Sequence, residues 1–280
     1  MRIPGASSTA IRAVTAGASQ AAQWLGAVDA ALYFATTGAR PTVFAVLSQD
    51  AVRLPCGLAL ATTKAELPLT RIAPVRDLRD RENAVVGNDR IAWAGPDGPV
   101  TIIAARQWSP LRVHPGVPET AALAELRALL APCELGLEQH RLDQLAGQAD
   151  TTAVAGLLGR GPGLTPSGDD VLAGYLLAAG AFGLEIEQVR RAVAARAPQA
   201  TSALSAQLLR HAARGEAVRE LIELTAALTQ PDAMLTAVAA RLLQVGHTSG
   251  ASLAWGALLA GEHAVRRYPS VLSTNPGGHR

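Results

Sequence analysis

The sequence predicts an α+β fold, with a β-rich N-terminal half followed by a helical C-terminal half. In residues 31–104, short apolar runs alternate with Gly- and Pro-containing turns, a pattern typical of strands. After Pro118, apolar residues recur at helical spacing, as at Leu123, Leu126 and Leu130. Hydrophobic residues make up 49% of the 280 residues, which is enough for a sizeable core. We expect one compact unit with a β-rich part over 1–115, a helical part over 116–265 and a flexible tail over 266–280.

The strands are predicted from apolar runs on either side of turn residues. Two runs flank a turn at Gly38–Pro41 and predict a hairpin, and a turn signal around Asn88 predicts a second hairpin. The predicted strand regions are 31–36, 42–47, 58–62, 84–93 with its central turn, and 100–104, with a charged connector over 71–82.

The helices are predicted from periodicity and from punctuation by Gly and Pro. Thr120–Leu130 has leucines on one face, and Val171–Phe182 is an apolar run of helical length. Pro231-Asp232 marks another helix start, because proline is favoured in the first turn.

Composition excludes several classes of function. A formal net charge of +2 is too small for a nucleic-acid surface. The two cysteines are too few for a disulfide framework, which fits a reducing compartment. The helical apolar runs are shorter than the roughly 20 residues that span a bilayer, and no signal peptide is evident. We therefore expect a cytoplasmic protein without nucleic-acid or membrane partners.

The most informative stretch is the glycine-rich segment over residues 159–170, which ends in Asp169-Asp170. A glycine-rich loop can bring its backbone amides against a ligand, and the start of the following helix favours an anion. Two carboxylates repel an anion, so a magnesium ion could lie between them and the ligand, although no third metal ligand is nearby. Ser167 and Asp170 also fit a capping box, in which both acids would serve the helix alone. No other cofactor is indicated.

A partial copy of this segment follows 82 residues later. Ser167-Gly168 opens one helix and Ser249-Gly250 opens the other, and Gly174 matches Gly256. A glycine in mid-helix costs about 1 kcal/mol relative to alanine, which suggests that the two helices pack closely there. Composition alone is the alternative explanation of this similarity.

Two further sets of residues are candidates for binding or catalysis. His247 is flanked by Gly246 and two hydroxyl residues at a helix start, where it could be a general base or could line the turn. Thr201 is most simply a helix N-cap, and with Ser205 it could instead face a pocket.

These motifs together resemble the AllH-like family, a bacterial family related to oxamate carbamoyltransferase. The resemblance covers residues 150–262 through the segment 161–170, Thr201 with Ser205, and the segment 246–250 with Gly256. It implies one subunit of a hetero-oligomeric enzyme that transfers a carbamoyl group from oxalurate to phosphate, giving oxamate and carbamoyl phosphate, in purine and allantoin catabolism. Its ligands would be phosphate or a small carboxylate or ureido acid.

The candidate residues fall into two groups. Those expected to bind the substrate or an anion are Gly161, Gly163, Leu164, Thr165, Ser167, Gly168, Asp169, Thr201, Ser205, Thr248 and Gly250. Those expected to take part in catalysis are His247, Asp170 and Ser249. A non-catalytic anion-binding or assembly subunit is the alternative function, and a hydrolase that uses Ser249 and His247 is a third hypothesis.

Overall fold

The computed structural model describes residues 1–38, 41–75, 83–230 and 234–267. The predicted helix start at Pro231-Asp232 lies outside these residues, as do parts of the turn at 38–41, the connector 71–82 and the tail 266–280. The chain divides into two compact units, Met1–Pro110 and Leu111–Arg280.

The first unit is a closed barrel of eight strands. The strands are β1 (Arg2–Ser8), β2 (Gln20–Val28), β3 (Ala31–Thr36), β4 (Val43–Leu47), β5 (Gly57–Leu60), β6 (Ala84–Gly87), β7 (Arg90–Gly95) and β8 (Gly98–Trp108). They follow one another around the barrel in the order β1-β5-β4-β3-β2-β6-β7-β8. The parallel pairing of β1 with β8 closes the circle, and β4 and β5 form the other parallel pair. Their inward side chains make the core of this unit, led by Phe34, Phe44 and Ile91.

Local sequence signals explain the two predicted hairpins. Strands β3 and β4 pair antiparallel, as do β6 and β7. The β6–β7 turn places Asn88 and Asp89 at φ 51° and 54°. Positive φ at both central residues defines a type I′ turn, which suits the twist of a hairpin and tolerates Asn and Asp.

The predicted α+β class is wrong. In that class the helices cover one face or one end of an antiparallel sheet. Here the strands of the N-terminal half close into a barrel of mixed parallel and antiparallel pairs, and the long helices belong to the C-terminal half.

The second unit is helical. After the short α1 (Arg12–Thr15) of the first unit, the helices are α2 (Thr120–Leu130), α3 (Gln139–Gly147), α4 (Thr151–Leu157), α5 (Ser167–Ala181), α6 (Glu187–Ala200), α7 (Ala203–Ala212), α8 (Arg219–Ala227), α9 (Leu235–Leu243) and α10 (Ser249–Arg267). Helix α5 is buried along almost its whole length, and after its first turn its own residues are apolar on every face, as expected for a buried helix. In the described part of the chain, no helix combines the length and apolar character needed to cross a bilayer.

Helices α5 and α10 pack together through matching glycines. A Cβ added at Gly174 would lie 2.0 Å from the Leu253 carbonyl oxygen, and one added at Gly256 would lie 2.1 Å from the Val171 carbonyl oxygen. Both pairs keep the 82-residue offset of the sequence repeat, so the contact has approximate two-fold symmetry. The predicted close packing of the two helices is therefore confirmed.

Candidate functional site

The first turns of α5 and α10 lie side by side. The hydroxyl oxygens of Thr165 and Ser249 are 3.1 Å apart, and those of Ser167 and Thr248 are 3.3 Å apart. Each helix thus has a serine in its first turn that contacts a threonine preceding the other helix. The helices run parallel, so the partial positive charges of both N-termini add at this point.

The glycine after each of these serines permits close packing. A Cβ at Gly168 would lie 2.1 Å from the Leu157 carbonyl oxygen, and one at Gly250 would lie 1.9 Å from the Leu242 carbonyl oxygen. Each helix therefore begins directly against the end of an earlier helix. This packing accounts for both glycines whether or not they also bind a ligand.

The loop before α5 presents free backbone amides. Gly159, Gly161 and Gly163 have φ of 71°, 112° and 93°, values that favour glycine. Among the described residues, no acceptor is hydrogen-bonded to the amides at positions 161, 163, 164 and 165. The loop is exposed, and Ser202 donates its hydroxyl to the Leu164 carbonyl. Unpaired amides next to a helix N-terminus form a typical anion site.

Both carboxylate oxygens of Asp169 accept hydrogen bonds from other residues of the protein. Its Oδ1 accepts the Gly159 amide at 2.8 Å, and its Oδ2 accepts the Thr201 hydroxyl. Burial raises the pKa of this carboxyl, and hydrogen bonds from Thr201, Gly159 and Ser205 offset part of the increase. Asp169 thereby ties the glycine-rich loop to the junction between α6 and α7.

Asp170 has a different environment. The residue is 5% exposed, and its Oδ2 has no hydrogen-bond partner among the described residues. Burial raises the pKa of the Asp170 carboxyl to about 7; the Asp169 charge adds to the increase, whereas the Ser249 and Thr165 hydroxyls oppose it. A carboxyl group with such a pKa can hold or release a proton near neutral pH.

The capping predictions were wrong in detail. Pro166 precedes the first turn of α5, and no side chain caps that helix, so Ser167 and Asp170 do not form a capping box. Ser202 caps α7 by accepting the Ser205 amide at 3.0 Å, and Thr201 ends α6.

His247 lies in the turn before α10. The residue is exposed, and its imidazole makes no hydrogen bond with a described residue. Among the described residues, the hydroxyl that contacts Ser249 is that of Thr165, and no imidazole is hydrogen-bonded to Ser249. The catalytic roles assigned to His247, Ser249 and Asp170 remain predictions.

Sequence reasoning missed two residues of the site. Ser202 holds the loop through Leu164, and its N-cap position after Thr201 was the available signal. Ser252 occupies the position in α10 that Asp170 occupies in α5, and its hydroxyl is fully buried without a partner among the described residues. The 82-residue repeat could have identified Ser252. Within the described ranges, no cluster of three or more His, Cys, Asp or Glu side chains could hold a metal ion.

Comparison with known proteins finds a family similarity in the segment that builds this site. No solved structure matches the chain. Residues 157–261 match the model of the family described as oxamate carbamoyltransferase subunit AllH, which confirms the family resemblance from the end of α4 into α10.

Proposed function

We propose that the chain binds the substrates of an oxamate-type carbamoyltransferase and acts as one subunit of that enzyme. The reaction moves a carbamoyl group from oxalurate to phosphate and yields oxamate and carbamoyl phosphate. The family description supports the reaction class, and its word "subunit" implies an enzyme built from several chains. The two free cysteines, Cys56 and Cys133, fit the reducing cytoplasm in which we place this enzyme.

The observation that carries the proposal is the meeting of two helix N-termini beside a loop with unpaired amides. All four reactants and products carry a carboxylate or a phosphate. The loop amides at 161–165 would hold that anion, and the dipoles of α5 and α10 would both favour it.

The hydroxyl groups at the two helix starts suit the chemistry of carbamoyl transfer. When a phosphate oxygen attacks the carbamoyl carbon, negative charge develops on the carbonyl oxygen; the bond from that carbon to the oxamate nitrogen then breaks, and the nitrogen takes up a proton. The hydroxyls of Thr165, Thr248 and Ser249 lie close enough to one another to orient that carbonyl and to stabilise the charge. His247, which is exposed in the turn before α10, would also help to orient the carbonyl.

Ligand-dependent thermal stability tests the proposal. The purified chain, and the complex formed with its partner subunits, would be heated with phosphate, carbamoyl phosphate, oxamate or oxalurate, with and without magnesium. A ligand at 100 times its dissociation constant adds about 2.7 kcal/mol, which should raise Tm by about 5–11 °C. Thr248→Val, which removes a site hydroxyl, should reduce the shift, whereas Thr152→Val, at an exposed position of α4, should keep it. Absence of any shift in both chain and complex would contradict the proposal.

A second candidate function is an anion-binding or assembly subunit whose partner performs the chemistry. The specific observation in its favour is that the exposed imidazole of His247 makes no hydrogen bond with a described residue that would hold it in place for catalysis. Carbamoyl transfer that persists in the partner subunits after this chain is removed would support the assembly role. Loss of transfer, with recovery when the chain is added back, would support the substrate-binding role.

A further inference from the structure

The starting observation is a buried acceptor that the protein itself leaves unused. Asp170 Oδ2 has essentially no exposed surface and no hydrogen-bond donor among the described residues. A buried polar atom without a partner is uncommon in folded proteins, and it costs more free energy when the group is charged.

Among the described residues, the neighbours of Asp170 form no hydrogen bond with its Oδ2. The Thr165 and Ser249 hydroxyls share one hydrogen bond with each other and face the Asp170 carboxyl. The adjacent Asp169 already accepts from Gly159 and Thr201 and can donate nothing while it is ionised. A bound molecule with an N–H group would supply the donor that Asp170 Oδ2 lacks in this structure.

A metal ion is a poor candidate for this position. The first turns of α5 and α10 both direct positive dipole ends to the site, and such ends disfavour a cation. Asp170 is also the only acid here with an unused oxygen among the described residues, because Asp169 is bound by Gly159 and Thr201. An N–H group on an otherwise anionic ligand would donate to the unused Asp170 oxygen, while the anionic part of the ligand would be favoured by the two helix dipoles.

We propose that Asp170 Oδ2 accepts a hydrogen bond from the terminal NH₂ of a carbamoyl or amide group, while the free loop amides hold the anionic end of the same ligand. The site would then select small acids that carry H₂N–C(=O)– over acids in which a methyl group replaces the NH₂. This inference rests on the proposed function and assigns Asp170 as the residue that determines specificity.

Because Asp170 is buried, a ligand reaches it only if the surrounding structure moves. The loop 161–165 is exposed on its outer side, and side-chain hydroxyls hold it through Thr165–Ser249 and Ser202–Leu164. These contacts can exchange for ligand contacts without disturbing the packing of Gly168 or Gly250. A ligand that enters would take the Thr165 hydroxyl and the loop amides in the same step.

Two matched pairs of ligands test the inference. Carbamoyl phosphate and acetyl phosphate share a phosphate, and oxamate and pyruvate share a carboxylate; in each pair only NH₂ is exchanged for CH₃. Titration calorimetry at pH 8, on the complex with its partner subunits, should give the NH₂ member about tenfold or greater affinity, as expected for a hydrogen bond to a charged acceptor.

Variants connect this preference to one side chain. Asp170→Ala should bring the two members of each pair to within about twofold of each other, and Asp170→Asn should give an intermediate preference. Asp143→Ala, on the exposed face of α3, should keep the full preference.

The outcomes separate the two proposals. Equal affinity for both members of each pair would overturn the role of Asp170 and leave the proposed function standing. Failure of all four ligands to bind would overturn both. The comparison of ligands on the unaltered chain decides the matter even if Asp170→Ala does not fold.

Discussion

Replacing Gly174 with alanine should loosen the crossing of α5 and α10. The added Cβ would lie 2.0 Å from the Leu253 carbonyl oxygen, whereas ordinary contact begins at 3.4 Å, so the helices have to separate by about 1.4 Å. Overpacking of this kind costs about 1–3 kcal/mol, and a clash with rigid backbone belongs at the upper end. The higher helix propensity of alanine stabilises the folded state by about 1 kcal/mol and offsets part of this cost. The net loss in free energy of unfolding is about 2 kcal/mol.

Gly180→Ala is a matched control in the same helix. The nearest atom to its added Cβ is the flexible end of the Arg190 side chain, at 3.4 Å, and Gly180 is exposed. Only the helix propensity should act, which predicts a gain of about 1 kcal/mol in the free energy of unfolding.

Circular dichroism at 222 nm follows this effect, because the long helices belong to the second unit. At 2–4 °C per kcal/mol, Tm should fall by about 4–8 °C for Gly174→Ala and rise by about 2–4 °C for Gly180→Ala. Equal changes in the two variants would refute the close glycine-mediated crossing.

Three further predictions concern the acids and the loop. The raised pKa of Asp170 means that the folded state binds its proton more tightly than the unfolded state does. The free energy of unfolding should therefore fall by about 2–3 kcal/mol between pH 5 and pH 8. Urea titrations of Asp170→Asn should show a pH-dependent decrease that is smaller by this amount. Thr201→Val removes a donor from buried Asp169 and should lower the free energy of unfolding by about 1–3 kcal/mol, whereas Thr152→Val should change it by less than about 0.5 kcal/mol; equal urea midpoints would contradict this assignment. Gly159→Ala puts a Cβ 2.1 Å from a carbonyl oxygen at positive φ and should give little folded protein on a gel-filtration column; recovery at the wild-type level would contradict the close approach of the loop.

Local patterns in the sequence were enough to predict the hairpins but could not predict the barrel. Turn residues and apolar runs specify β3–β4 and β6–β7 over a few residues. Closure depends on β1, which pairs with β8 at the other end of the unit. The segment Arg2–Ser8 contains Pro4 and Gly5 and shows no alternation, so nothing local marks it as a strand.

The repeat predicted the helix pair, and here the physical reason was visible in the sequence. Glycines at matching positions of two apolar helices, Gly174 and Gly256, are costly unless backbones approach there. The hydroxyls at the two helix starts follow from the same pairing, since the helices run parallel.

The different environments of Asp169 and Asp170 could not be predicted. Neighbouring residues on a helix point about 100° apart, so each acid faces a different part of the fold. One faces Thr201 at the α6–α7 junction and is satisfied, and the other faces Ser249 of α10 with one oxygen unused. Only the packing of the helices determines which of the two carboxylates is fully hydrogen-bonded and which keeps an unpaired oxygen.

The central claim is that the loop before α5 binds an anion through its backbone amides. The most direct test is a titration of the ¹⁵N-labelled chain with carbamoyl phosphate, followed through assigned amide resonances. We predict that the largest shifts occur at Gly161, Gly163, Leu164 and Thr165, whose amides are unpaired among the described residues. Saturable shifts elsewhere that leave these four resonances unchanged would contradict the account.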